Sequence, residues 1–236
     1  MKRKKILFSV LIVLFSVVIS AVMMYNVFDD MTMVSTHLNN SPTIIVDAGH
    51  GGFDGGAVAD DGTIEKNINL SIALFLGEML EINGYNVVYT RTEDVGTDDY
   101  DNTAIRNRKV SDLNNRLKLT QLYDDGVFVS IHLNKFTSSS AMGAQVFYSP
   151  SFDEAKLLGE YIQTSIVSII QPSNNRVIKK GTKDTFLLYN AVIPSVIVEC
   201  GFISNNEELA LLKNTTYQKQ MSFAVFCGIN NYFNEV

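Results

Sequence analysis

Three side chains in this sequence could together hold a metal ion, and a fourth could move a proton. His50 sits in the glycine-rich stretch "DAGHGGFDGG", just after the apolar run Ile44–Val46. Glu65 follows that loop, and His132 closes the run "VFVSIH". Neutral imidazoles plus one carboxylate make a catalytic zinc site when a fourth position stays open to water. Glu199 ends the run "SVIVE". A carboxylate there is costly to bury unless it is paired or functional. Beside a metal site it would suit a general base, within hydrogen-bond reach of the proton it takes.

Each of these residues alone has a plainer account. His50 could cap a turn, and Glu65 could sit in a first helical turn because the helix dipole favours a carboxylate there. His132 could be a satisfied core histidine. Glu199 could pair with Arg91 or Arg116. Convergence argues against the plain accounts. The chain has three histidines, and both of those outside His37 fall at the same expected sheet edge. A second reading of the loop is a phosphate cradle. Gly49 and Gly51 fit a G-x-G start, but Asp54 stands where a third glycine belongs, and about eight more residues precede a helix. That reading fails on both counts.

The elements that must position these residues alternate. Ile44–Asp47, Tyr85–Arg91, Val127–His132, Gln145–Tyr148 and Pro194–Cys200 read as strands, and "TFLLY" reads as a further short one. Glu65–Ile82 carries Ile68, Ile72, Phe75, Leu76, Met79 and Leu80 at helical spacing, with Gly84 as a stop. Arg106–Leu122 reads as an amphipathic helix with Val110, Leu113 and Leu117 inward. Asp153–Ile170, Asn205–Leu212 and Tyr217–Phe233 read as helices. This alternation predicts a single α/β domain: a mainly parallel twisted sheet with helices on both faces. Function in such sheets collects at the carboxyl ends of the strands, where His50, His132 and Glu199 all fall.

"MKRKK" followed by the uncharged run Ile6–Phe28 is an export signal. The run is long enough to cross a bilayer, which takes about 20 apolar residues. Residues 1–28 are therefore a signal peptide or an N-terminal membrane anchor, with the anchor favoured. Residues 29–41 read as a polar linker in which His37 has no role, and residues 42–236 as the catalytic domain. The net charge of −6 becomes −10 once Lys2, Arg3, Lys4 and Lys5 are set aside, with 15 basic against 25 acidic residues. Such a surface is not built for nucleic acid. Cys200 and Cys227 read as buried small side chains rather than a disulfide.

"DAGHGGFDGGA", "EKNINLSIALFLGEML", "GYNVVYTR", "VFVSIHLN", "GAQVFY" and "IPSVIVECGFISNNEE" follow one another in the order of a known family. The chain resembles the zinc-dependent N-acetylmuramoyl-L-alanine amidases from about Ile44 to Phe233. "RKVSDLNNRLKL" adds a likeness to the germination-specific, spore-cortex type. The resemblance implies one Zn2+ per chain held by His50, Glu65 and His132, with Glu199 as the catalytic carboxylate. It implies peptidoglycan as substrate, cut between the muramic acid lactyl group and L-alanine. In cortex this is the first step toward muramic-δ-lactam, which germination lytic enzymes read. Asn134, beside His132, is the residue expected at the substrate rim.

The resemblance also implies export to the forespore or cortex space and membrane attachment through the N-terminal segment. An accessory envelope protein would help an enzyme without a wall-binding module to reach its substrate. Ala48 stands where the family often has proline, and Thr120-Gln121 where Ala-Asn is frequent. Neither touches an expected catalytic residue. Too few residues separate Tyr148 from the helix near Asp153 for the self-inhibitory helix that some relatives carry. The competing readings are another zinc-dependent peptidoglycan peptidase and a non-catalytic wall-binding protein of the same fold.

Overall fold

A computed structural model describes residues 18–25, 41–99 and 104–235. The chain divides into two units, Met1–Ser41 and Pro42–Val236. In the first, residues 18–25 are helical. No helix among the described residues is long and apolar enough to cross a membrane. Most of the expected signal or anchor and of the linker, His37 included, lies outside the described residues.

The second unit contains six strands and six helices among its described residues. They run β1 (Thr43–Ala48), α1 (Glu65–Ile82), β2 (Asn86–Tyr89), α2 (Ile105–Thr120), β3 (Val127–Asn134), β4 (Gln145–Tyr148), α3 (Asp153–Ile169), β5 (Lys179–Lys180), α4 (Phe186–Asn190), β6 (Ser195–Phe202), α5 (Asn206–Leu212) and α6 (Thr215–Glu235). The sheet order is β2-β1-β3-β6-β4-β5. Strands β2, β1, β3 and β6 pair in parallel. Strand β4 runs antiparallel to β6 and carries β5 in parallel on its outer edge. The sheet is therefore mixed but mainly parallel, as expected.

One face of the sheet holds the larger core. Ile44, Val46, Val129, Ile131, Val196 and Val198 point there and pack with Ile72, Leu76 and Leu80 of α1, Ile162 of α3 and Val225 of α6. Fully burying such a side chain contributes about 1.5–3 kcal/mol. Helix α1 stops where Gly84 takes φ 86°, and Tyr85 N–H returns to Leu80 O at 3.1 Å. This is the C-terminal glycine stop expected from sequence. Helix α5 is capped by Asn205, whose side chain accepts from Glu207 and Glu208 N–H.

The opposite face holds a smaller cluster, Ile45, Phe128, Leu187 and Ile193, packed against Leu113 and Leu117 of α2. Two expectations change here. "TFLLY" is not a strand: Phe186–Asn190 forms α4, which places Leu187 and Leu188 inward. Helix α2 does form, but Val110 is exposed, and its buried residues are Ser111, Asp112, Arg116 and Thr120. Its inward side is largely polar because the strand residues it faces turn polar toward their carboxyl ends.

Candidate metal centre and catalytic carboxylate

Strand alternation fixes which side chains can meet. Residues Ile45 and Asp47 of β1, Phe128, Ser130 and His132 of β3, and Ser195, Ile197 and Glu199 of β6 share the smaller-core face. The register puts Asp47 opposite Ser130 and His132 opposite Glu199. The chain leaves β1 toward β2 on one side of the sheet and leaves β3 toward β4 on the other. The crevice outside the strand ends at such a switch is where open α/β sheets place their ligands. His50 emerges there from β1, and His132 ends its own run there from β3.

Glu65, the first residue of α1, reaches back into the same crevice. Its Oε1 lies 3.3 Å from His50 Nε2 and 3.2 Å from His132 Nδ1. The candidate ligand atoms of these three residues all lie within 4.8 Å of one another. Bonds of about 2.0–2.1 Å in a tetrahedral zinc site put neighbouring ligand atoms about 3.3 Å apart. The two short separations match that edge, so the three residues fit a metal of this kind.

Each ligand candidate is held from behind. The other imidazole nitrogen of His50, Nδ1, is bound to Asp54 Oδ2 at 2.9 Å. A carboxylate behind an imidazole fixes the tautomer that presents the opposite nitrogen. Gly49 closes over His132, and a Cβ at Gly49 would collide with the imidazole around Nε2. That leaves Nδ1 as the free side of His132. Glu65 Oε2 accepts from Ala57 N–H at 2.7 Å, and Oε1 accepts from Leu133 N–H at 3.0 Å and Asn69 Nδ2 at 3.1 Å.

The ionisation of the cluster follows from these contacts. Burial opposes charge on His50, but the bonds to Asp54 and Glu65 outweigh it and raise the imidazole to about 9. Burial also opposes charge on Glu65, yet His132 and His50 hold its carboxyl well below the usual range. Glu199 behaves in the opposite way. Burial pushes its carboxyl up to about 7, and its Oε2 is shut from solvent with no hydrogen-bond partner.

The ion-pair account of Glu199 does not hold. Arg116 binds Asp47 and Asp112, and Arg91 spends its donors on the carbonyls of Ala48, Gly49, Lys66 and Glu93. The phosphate account of the loop fails too. The amides of Gly49, Gly51 and Gly52 donate to Ile131 O, Asp54 O and Asp94 Oδ1, so they are not free for an anion. Asn134 ends β3 beyond a register shift, and its carbonyl accepts from Ile203 N–H at 2.8 Å. A cleft of about 160 Å³ opens beside His50 and His132, lined also by Asp54, Lys109, Arg116 and Leu187.

Sequence reasoning missed Asp54 and Asn69. Each had a usable signal: Asp54 is the one acid inside the glycine loop, and Asn69 follows Glu65 by one helical turn. Cys200 and Cys227 are both free thiols.

Comparison with known proteins shows what the chain is similar to. The N-acetylmuramoyl-L-alanine amidase family matches residues 44–231. The chain is 32% identical over 192 residues to the germination-specific N-acetylmuramoyl-L-alanine amidase of Bacillus subtilis, covering 81% of this chain and 80% of that protein. Among solved structures, the CwlD amidase of Clostridioides difficile, in complex with the GerS lipoprotein, is 40% identical at a TM-score of 0.79. That likeness covers 83% of this chain and 100% of the solved one. An N-acetylmuramoyl-L-alanine amidase of Clostridium difficile 630 is 29% identical at a TM-score of 0.71, over 83% of this chain and 98% of that one. With a match over most of its length and a crevice built from His50, Glu65, His132 and Glu199, this chain belongs to the N-acetylmuramoyl-L-alanine amidase family.

Proposed function

We propose that this protein is a zinc-dependent peptidoglycan amidase, hydrolysing the amide between the muramic acid lactyl group and L-alanine. The observation that carries the reading is the His50–Glu65–His132 cluster, with the unpartnered Glu199 Oε2 facing His132 across the β3–β6 pair. His50 Nε2, Glu65 Oε1 and His132 Nδ1 would hold one Zn2+. Bound zinc supplies Lewis acidity at the amide carbonyl and acidifies water. Asp54 keeps the His50 ring turned so that Nε2 faces the crevice. Glu199 takes a proton at its carboxylate from the attacking water and returns it to the departing L-alanyl nitrogen. Asn134 is proposed at the rim of the substrate path.

The likeness to the germination-specific amidase of Bacillus subtilis supports a role in spore cortex, upstream of muramic-δ-lactam. The basic cluster and apolar run at residues 1–28 support export, with attachment to the membrane if the segment stays uncut. The relative solved with the GerS lipoprotein supports an accessory envelope protein for this chain as well.

The test is product analysis. Purified full-length protein is incubated with peptidoglycan, and the products are separated by mass. The expected products are intact stem peptides with a free L-alanine amine and glycan that keeps its lactyl groups. A chelator should abolish the cut and added zinc should restore it. Cleavage inside the stem peptide, or activity that survives chelation, overturns the reading. For the cortex role, a strain lacking this gene should make cortex without muramic-δ-lactam, and unchanged cortex refutes it.

A further inference from the structure

His50 is held in a conformation that few non-glycine residues adopt, although histidine is among those that do so more often. Its φ is +62°, in the left-handed region that L side chains other than glycine rarely adopt. Something outside the loop must over-determine that turn. Around His50 the loop is tied at several points: Gly51 and Asp54 exchange backbone hydrogen bonds, Gly49 N–H donates to Ile131 O, Asn69 Nδ2 donates to Gly49 O and Gly52 is held by Asp94 and Lys66, but the His50 carbonyl itself is held by an arginine.

The carbonyls of three successive residues are captured. Ala48 O accepts from Arg91 Nε at 2.8 Å and Arg116 Nη1 at 3.0 Å. Gly49 O accepts from Arg91 Nη2 at 3.1 Å. His50 O accepts from Arg116 Nη2 at 2.7 Å. Arg116 is itself locked. Its Nε donates to Asp112 Oδ2 at 2.7 Å, and its Nη1 donates to Asp47. It is 2% exposed and Arg91 4%, so water does not replace either on these carbonyls.

From this geometry we infer that Arg116, aided by Arg91, is a positioning residue for the metal site: it holds the His50 backbone in the turn that aims Nε2 at Glu65. The inference rests on the proposal that His50 is a zinc ligand. Its role is geometric rather than electrostatic. A cation this close would oppose a divalent metal, but Asp47 and Asp112 neutralise the guanidinium. Lysine could keep the charge and would lose the function, because a single ammonium cannot reproduce the planar fork that spans Ala48 O, His50 O and two carboxylates.

The experiment measures zinc affinity by chelator competition on metal-free full-length protein, alongside its melting temperature. The proteins are wild type, His50→Ala, Arg116→Lys and Leu113→Ala. Leu113 packs against the smaller core and lines the same cleft, but its apolar side chain donates to none of the three carbonyls, so Leu113→Ala reports general loosening. Arg116→Lys should bind zinc about 10–100-fold more weakly than wild type, the usual cost of losing an outer support of a metal site. Leu113→Ala, at an equal or larger loss of melting temperature, should stay within about twofold of wild type in affinity. If Arg116→Lys does not fold, Asp112→Asn, which frees one side of the guanidinium, is read in its place and should also weaken zinc selectively. Unchanged zinc affinity in the Arg116→Lys or Asp112→Asn protein overturns the positioning role. So does a Leu113→Ala loss as large as theirs. A wild type that binds no zinc, or a His50→Ala protein that binds it undiminished, overturns the ligand assignment and this inference with it.

Discussion

The two faces of one sheet have opposite characters, although the same strands make both. On one face Ile44, Val46, Val129, Ile131, Val196 and Val198 are at most 1% exposed, under α1, α3, α5 and α6. On the other, Ile45 and Phe128 begin an apolar core, but Asp47, Ser130, His132 and Glu199 succeed them toward the strand ends. Among the described residues, the second face is covered by α2 and the five-residue α4. The difference shows how a small α/β domain separates tasks. The thick face supplies stability without chemistry. The thin face gives up apolar burial near the strand ends, and a crevice opens where polar side chains meet.

The sharpest test of that division removes the proposed catalytic group from the thin face. Glu199→Gln keeps the size and loses the proton acceptor, so turnover on peptidoglycan should fall by about 10²–10⁴. Zinc content by elemental analysis should not change. Near-normal turnover would remove Glu199 from the mechanism.

Leu76→Ala makes the opposite cut, on the thick face. It deletes a fully buried side chain and should cost about 2–5 kcal/mol of stability in denaturant unfolding, with zinc affinity of the folded protein unaltered. A matching loss of zinc affinity would show that the faces are not separable.

The smallest expected effect is a pH dependence. Burial places the Glu199 carboxyl at about 7 in the metal-free protein, against about 4.3 for an unfolded glutamate. The folded state keeps a proton that the unfolded state has already lost. The contribution is thus fully present below the unfolded value and is lost as pH rises through the folded one. The melting temperature of metal-free wild type should therefore decline relative to Glu199→Gln between about pH 4 and pH 7. Parallel curves would mean that Glu199 is not shut away from water.

Much of the site was legible because its members stand at element boundaries. His50 after an apolar run, His132 and Glu199 near strand ends, and Glu65 at a helix start are local signals. Helix α2 was legible only in part. Its period marked Val110 as inward, yet the structure exposes Val110 and buries Asp112 and Arg116. Periodicity assumes an apolar partner surface, and here the partner is the polar end of β1 and β3. The helix α4 was missed for a related reason. "TFLLY" is too short for period to separate strand from helix, and packing against Phe128 and Ile193 decides it.

By itself the sequence determined the alternating elements, the family motifs and the four residues proposed to do chemistry, because these depend on residue type and near-neighbour spacing. The tertiary structure decided their relations. His132 meets Glu65 across 67 positions, and Arg116 reaches His50 across 66. It also decided that both buried arginines are committed to loop carbonyls and to Asp47 and Asp112. Glu199 is left without an arginine partner as a result. A carboxylate with one oxygen shut from solvent and unpartnered holds its proton to near neutral pH, and only the packing of distant segments could settle that no arginine arrives.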